Sequence, residues 1–137
     1  MELTIIIPVY NVENHLSRCL DSIFVGNNID GDFEVIAVDD GSTDNSYGIL
    51  QEYVSRYKQL KIYHQENQGS SVARNKALDV ATGKYIMFVD SDDFVEKDSI
   101  NTILQEAIKT DVDILFFDFN VISEGGVNNI ASCPNFQ

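Results

Sequence analysis

Short runs of β-branched and aromatic residues alternate with segments whose apolar residues return every three or four positions, the pattern of parallel strands joined by helical crossovers. This predicts an α/β fold with an open, mostly parallel sheet and helices on both faces. Leu3 to Pro8 reads as a buried strand, and the helix after it carries Leu16, Cys19, Leu20, Ile23 and Phe24 on one face before Gly26 to Gly31 ends it. Phe33 to Val38 is a second strand. Asp44 caps a helix that buries Ile49, Leu50, Tyr53, Val54 and Tyr57. Leu60 to His64 is a third, shorter strand. Ser70 or Ser71 starts a helix with Val72, Ala73, Ala77, Leu78 and Val80, which Gly83 closes in the left-handed conformation. Tyr85 to Val89 is a fourth strand, Asp98 or Ser99 caps a helix through Ile100, Ile103, Leu104, Ala107 and Ile108, and Asp113 to Val121 reads as a fifth strand. Past Ser123 the pattern lapses into Glu124-Gly125-Gly126 and an Asn-rich stretch. One domain over residues 1–122 and a loop or frayed segment over 123–137 follow.

Composition narrows the class without changing the fold. At 137 residues, 44% of them hydrophobic, the chain is long enough to bury about two thirds of its unfolded surface around one core. Its apolar runs fall far short of the roughly 18 residues that span a bilayer, and the start of the chain shows no export signal. Cys19 and Cys133 lack metal or CxxC spacing, so both are expected as reduced, packed thiols in a cytoplasmic protein. The net charge of −13 argues against nucleic acid as a partner. Acids outnumber bases 10 to 2 after Val89, so an anionic ligand must be attracted by something other than net charge.

The unusual polar residues fall directly after strands: Tyr10-Asn11, Asp39 to Asp44, Asn67 to Gly69 and Asp90 to Asp93. In a parallel sheet those four positions share one edge, where open α/β folds bind ligands. Asp90, Asp92 and Asp93 repel one another unless a cation lies among them, and hard carboxylate oxygens suit Mg²⁺ or Mn²⁺ carrying a substrate diphosphate. The plainer reading of Asp92 or Asp93 is a helix cap. An EF-hand starting at Asp90 is excluded, because Val95 stands where Gly is needed and Asn101 where Glu is needed. Phe94 likewise excludes an aspartyl phosphatase pattern. Capping accounts for Asp44 but leaves one of Asp39 and Asp40 for a base edge or ribose hydroxyl. Arg74 either reaches phosphate oxygens or pairs with a carboxylate of the rim. His15 and His64 have no metal-type spacing and read as surface or packing residues. Neither GxGxxG nor GxxxxGK[ST] is present.

Together, Ile5-Ile6-Ile7-Pro8-Val9-Tyr10-Asn11, Val38-Asp39-Asp40-Gly41-Ser42-Thr43-Asp44, Asn67-Gln68-Gly69 with Ala73-Arg74-Asn75, and Phe88-Val89-Asp90-Ser91-Asp92-Asp93 resemble family 2 glycosyltransferases over about residues 3 to 121. The resemblance implies a Rossmann-like GT-A nucleotide-binding half. It also implies an enzyme that passes a sugar, with inversion, from a nucleotide-diphosphate sugar such as a UDP-sugar to a glycan or other hydroxyl acceptor. By the same resemblance Pro8, Val9 and Tyr10 border the base, Asp39 and Asp40 read base and ribose with Asp40 on the base, and Arg74, Asp90 and Ser91 lie along the nucleotide sugar. Asp92, with Asp90, would hold Mn²⁺ or Mg²⁺ against the diphosphate. The catalytic base that the family places well beyond its Asp-x-Asp falls past Gln137, so neither Asp113 nor Asp118 is assigned to it, and this chain is expected to be the donor-binding portion. No transmembrane segment is expected, and the location implied is cytoplasmic or peripheral to the inner face of the membrane. The competing classes are a nucleotide-sugar-binding module without turnover and a nucleotidyltransferase.

Overall fold

Seven successive buried residues, Leu3–Val9, form β1, as a strand must when it is paired on both edges and covered on both faces. The computed structural model describes residues 1–123 and 126–129, with side chains as far as Ile122, in two units, Met1–Leu104 and Gln105–Gln137. In the first unit, β1 is followed by α1 (Leu16–Phe24), β2 (Phe33–Asp39), α2 (Ser46–Arg56), β3 (Leu60–His64), α3 (Ser70–Val80) and β4 (Tyr85–Phe88). Helix α4 (Ser99–Thr110) begins there as well. The sheet order is β3-β2-β1-β4, parallel throughout.

The chain therefore steps outward from β1 to β3 and returns to the other side of β1 for β4. Right-handed crossovers then put α1 and α2 on one face and α3 on the other. Residue alternation along the strands agrees. Ile5, Ile7, Val9, Val35 and Ala37 pack with Leu16, Leu20, Ile23, Leu50 and Tyr53, while Ile6, Ile36 and Val38 pack with Ala73 and Ala77 of α3. The reversal of strand order between β1 and β4 opens a crevice at their carboxyl ends.

Several details differ from the sequence expectation. Only Ala73 and Ala77 of α3 are buried, and Val72, Leu78 and Val80 are exposed, because the helix rests on the sheet through a narrow stripe of small residues. Val54 and Ile108 are exposed too. Gly83 has no left-handed backbone; α3 ends at the extended Ala81, and a Cβ on Gly83 would run into the Thr4 main-chain nitrogen of β1. The cap expected of Asp98 or Ser99 comes from a distant residue: Asn27 Oδ1 accepts the Ile100 N–H at 2.9 Å. Asp98 itself is left-handed, with φ 58°. Asp44 does serve the start of α2, accepting the Ser46 N–H at 2.9 Å.

The second unit contains the end of α4 and an antiparallel hairpin of β5 (Asn120–Ser123) and β6 (Gly126–Asn129). The fifth strand expected over Asp113 to Val121 is thus mostly irregular, and Ile114, Phe116, Phe117 and Phe119 are exposed. An apolar run becomes a buried strand only beside a partner ladder, and no strand among the described residues pairs with 113–119. Asp113 and Asp118 accordingly lie outside any strand. The hairpin reaches into the segment expected to be a loop. Cys133 lies outside the described residues. Among those described, no helix is long and apolar enough to cross a membrane.

A buried acid ties the sheet together at the end away from the crevice. Glu34, 1% exposed, accepts from Thr4 Oγ1, Thr82 N and Thr82 Oγ1, each at 2.8 Å, and from Lys61 Nζ at 2.6 Å. Burial pushes its pKa up, but Lys61 and the threonine donors outweigh that and hold it at about 2 instead of 4.5. A depressed acid contributes its stability above its unfolded pKa and loses it as pH falls through the folded one. Glu34→Gln should cost about 2 kcal/mol in urea unfolding at pH 7. The variant should also lose less stability than wild type between pH 4.5 and about 2. Parallel acid limbs would refute the assignment.

Candidate functional site

The loops after β1 and β2 are stitched to each other. Asn11 takes the left-handed conformation, φ 49°, which Asn tolerates better than most residues. Its Oδ1 accepts the Thr43 N–H at 2.7 Å and the Asp44 N–H at 3.3 Å. The Asn11 and Val12 N–H groups donate to the hydroxyls of Ser42 and Ser46 at 3.0 and 2.9 Å. Glu13 N donates to Asp44 Oδ2 at 3.1 Å, and Asn45 N to Glu13 Oε2 at 2.9 Å. This network fixes the main chain that follows Tyr10, and Tyr10 itself is left 44% exposed.

Asp40 joins the β3–α3 loop to the same frame. Its Oδ1 accepts from Gln65 Nε2 and the Gln68 N–H, both at 2.8 Å, and its Oδ2 accepts the Gly69 N–H at 2.9 Å. Burial alone would raise the Asp40 pKa, and the three donors lower it. Gly41 makes the approach possible: its φ is +74°, and a Cβ there would meet the Asn67 main-chain nitrogen at 2.9 Å.

Asp39 is placed differently from what was expected. It pairs in register with Val9, on the face packed by α1 and α2, and is fully buried. Its Oδ2 accepts from His64 Nδ1 at 2.8 Å and more weakly from Ser42 N at 3.4 Å, while Oδ1 has no hydrogen-bond partner among the described residues. Successive side chains on a strand point to opposite faces, so an Asp-Asp pair cannot present both carboxylates to one ligand. His64, 54% exposed, is thus half surface residue and half partner to this acid.

The turn after β4 is anchored from below by α1 and its following residues. Cys19 Sγ donates to the Asp90 carbonyl at 3.7 Å, Arg18 Nη2 to the Asp92 carbonyl at 3.3 Å, and Asn27 Nδ2 to the Glu96 carbonyl at 3.1 Å; Val95 N donates to Ser22 Oγ at 3.1 Å. Arg18 also lies over the Phe94 ring at 4.6 Å. From α3, Arg74 Nη2 donates to Asp90 Oδ1 at 2.6 Å and Nη1 to Ser70 Oγ at 3.3 Å.

These ends converge on one cleft of about 420 Å³ lined by Pro8, Val9, Tyr10, Val12, Asp40, Asn67, Gly69, Ser70, Arg74, Asp90, Ser91 and Asp92. Every residue expected at the site is brought here except Asp39. Val12, Asn67, Gly69 and Ser70 are additional. Asn67 and Gly69 belong to the strand-end cluster visible in the sequence and Ser70 to the expected start of the next helix, whereas nothing in the sequence marks Val12. The field is strongly negative. Burial first, then Asp92 and Asp90, raise the Asp93 pKa against the opposing Arg18. The Cys19 thiol is pushed up to about 12 by burial and by Asp93, Asp92 and Asp90. No group of three or more His, Cys, Asp or Glu side chains among the described residues is arranged to hold an ion by itself. Two hard carboxylates in a negative field fit Mg²⁺ or Mn²⁺ that takes its remaining ligands from water and phosphate, and do not fit a closed protein cage.

The family model described as Glycosyl transferase family 2 matches residues 4–132. Glycosyltransferase GlyA of Streptococcus pneumoniae is 41% identical over 127 residues, covering 90% of this chain and 18% of GlyA. The structure of S. aureus TarS 1–349 in complex with UDP-GlcNAc superposes with a TM-score of 0.73 at 32% identity, covering 80% of this chain and 32% of TarS 1–349. Mannosyltransferase PcManGT from Pyrobaculum calidifontis, in complex with GDP-Man and Mn²⁺, gives 0.68 at 28% identity, covering 79% and 31%. The chain thus spans about a fifth to a third of the length of these relatives.

Asn in place of Asp40 turns an NH₂ group toward at least one of the three N–H donors, leaving a donor unpaired. Asp40→Asn should cost about 1–3 kcal/mol, and amide exchange should accelerate at Gln68 or Gly69 ahead of the β1 amides. Unchanged protection at both would show that Asp40 does not hold the loop.

Proposed function

Because the chain belongs to glycosyl transferase family 2, with the GT-A fold of its structural neighbours, we propose that it binds a nucleotide-diphosphate sugar and presents it for transfer, with inversion, to a hydroxyl of a glycan or other acceptor. The observation that carries this reading is the convergence of four strand ends on one cleft at the β1/β4 switch, lined by Pro8, Val9 and Tyr10 together with Arg74, Asp90 and Asp92. UDP is the nucleotide chosen, from the UDP-GlcNAc bound to TarS.

Each lining residue has a task its chemistry suits. Tyr10, with Pro8 and Val9, offers an aromatic and apolar wall to a planar base. Asp40 keeps one of about four acceptor sites after its three N–H partners are counted, enough for one base N–H. The amino end of α3, beginning at Ser70, brings a positive dipole end to the phosphates, which helps overcome the net charge of −13. Arg74 offers a planar fork to phosphate oxygens, and Ser91 borders the path between base and sugar. Asp92 and Asp90 would hold Mn²⁺ or Mg²⁺, which when bound stabilises the negative charge that develops on the diphosphate leaving group. None of the described residues is assigned as the base for the acceptor. A buried, protonated thiol at Cys19 accords with the cytoplasm, free or at the inner membrane face, as the place of action.

Calorimetry should detect UDP binding that strengthens at least about tenfold when Mn²⁺ is added, and Asp92→Ala should remove the Mn²⁺ increment while leaving metal-free UDP binding within about twofold. Undiminished Mn²⁺ dependence in Asp92→Ala would sink the metal assignment. Absence of UDP binding would sink the donor-site reading.

A further inference from the structure

Resting on the donor-site reading, we propose that Arg74 and a divalent cation compete for Asp90, so that a nucleoside diphosphate admits the cation by drawing Arg74 away. Arg74 Nη2 lies 2.6 Å from Asp90 Oδ1, a short, charge-assisted bond. A second donor on the same guanidinium reaches Ser70 Oγ at 3.3 Å, which holds the guanidinium over the carboxylate. Asp92, on the same cleft, accepts no side-chain hydrogen bond among the described residues. One of the two carboxylates that suit a metal ion is therefore committed to an arginine, and the other is available.

Two positive groups cannot both occupy Asp90 Oδ1 at contact distance. A cation arriving alone meets Asp92 and a blocked Asp90. A diphosphate in the cleft changes this, because its oxygens match the planar fork of arginine at least as well as a carboxylate does. Once Arg74 turns to the phosphates, both carboxylates face the cation. The coupling is reciprocal by linkage, so the cation also favours the state in which Arg74 is free for phosphate. Direct contact between a metal and a diphosphate would couple their binding without Arg74. The competition is recognisable by its opposite signs: removing the arginine helps the cation when no nucleotide is present and harms the nucleotide.

The test is Mn²⁺ titration of the full chain without nucleotide, followed by the electron paramagnetic resonance signal of the free ion, beside metal-free UDP calorimetry. An ion pair at this exposure, 32% and 52% for its two side chains, should make Arg74→Met bind Mn²⁺ about three- to fivefold tighter than wild type. UDP binding should weaken about fivefold or more in the same variant. In an Asp90→Asn background the Arg74→Met change should leave Mn²⁺ affinity within about twofold. That control separates release of Asp90 from the loss of a nearby positive charge acting on Asp92. Circular dichroism unchanged from wild type confirms that the exposed substitutions leave the fold intact. Unchanged or weaker Mn²⁺ binding in Arg74→Met, undiminished UDP binding, or a gain that persists in the Asp90→Asn background each overturns the competition. If wild type shows Mn²⁺-dependent UDP binding that Asp92→Ala abolishes while Arg74→Met leaves Mn²⁺ affinity unchanged, the donor site stands and the competition alone is lost. If wild type binds no UDP with or without Mn²⁺, both fall.

Discussion

Asp40 accepts three N–H groups from the segment between β3 and α3, and the cleft depends on that grip. The loop it holds has no place in the sheet ladder past the Gln65 N–H to Asp39 carbonyl bond at 2.9 Å. Without a carboxylate to gather them, the N–H groups of Gln68 and Gly69 would turn to water, and Asn67, Gly69 and Ser70 would leave the wall they form. The same loop sets where α3 begins, since the Ala73 N–H donates to the Gly69 carbonyl at 3.1 Å. Arg74 stands one residue later, so its reach to Asp90 is fixed through the same contact. A site made of four separate strand ends is thus joined by hydrogen bonds between loops as well as by the sheet below.

Much of this was legible in the sequence because a parallel sheet writes itself plainly. Strands buried on both faces read as continuous apolar runs, such as Ile5-Ile6-Ile7, and polar residues that interrupt the pattern directly after such runs must lie on one edge. Four strands and the first three helices were therefore found within a few residues. The limits had physical causes. Strand-end acids that are neighbours in sequence point to opposite faces, and only the register with Val9 and His64 shows that Asp39 is the one turned inward. Glu34 was hidden because one acid within an apolar strand carries no sign of its partners, which come from positions 4, 61 and 82. The run from Asp113 to Val121 has strand composition, but composition does not supply a neighbour to pair with.

The motif residues divide into two kinds that look alike in sequence. Asn11, Ser42, Asp44 and Ser46 spend their polar atoms on main-chain N–H groups of the adjoining loop or of their own turn. They shape the site without facing it. Tyr10, Arg74, Asp90 and Asp92 line the cleft and take little or no part in that network. A recurring sequence pattern therefore records the scaffold as well as the chemistry, and only the hydrogen-bond partners tell the two apart.

That distinction explains how a turn so rich in carboxylates stays in place. Three acids within four residues repel one another, and Asp93 shows it by a pKa raised first through burial and then through Asp92 and Asp90. The scaffold answers by gripping the turn through its main chain: Cys19, Arg18 and Asn27 donate to the carbonyls of Asp90, Asp92 and Glu96, and Ser22 accepts from the Val95 N–H. None of these bonds uses a carboxylate of the turn. The acids are held where they are by groups that leave their charges unsatisfied, which is the opposite of the arrangement at Asp40, where the carboxylate itself is the anchor. A turn built only for stability would have its carboxylates satisfied by N–H donors in the same way. One built to receive a cation must leave them available, and among the described residues the exception is Asp90, which is met by the one arginine on the cleft wall.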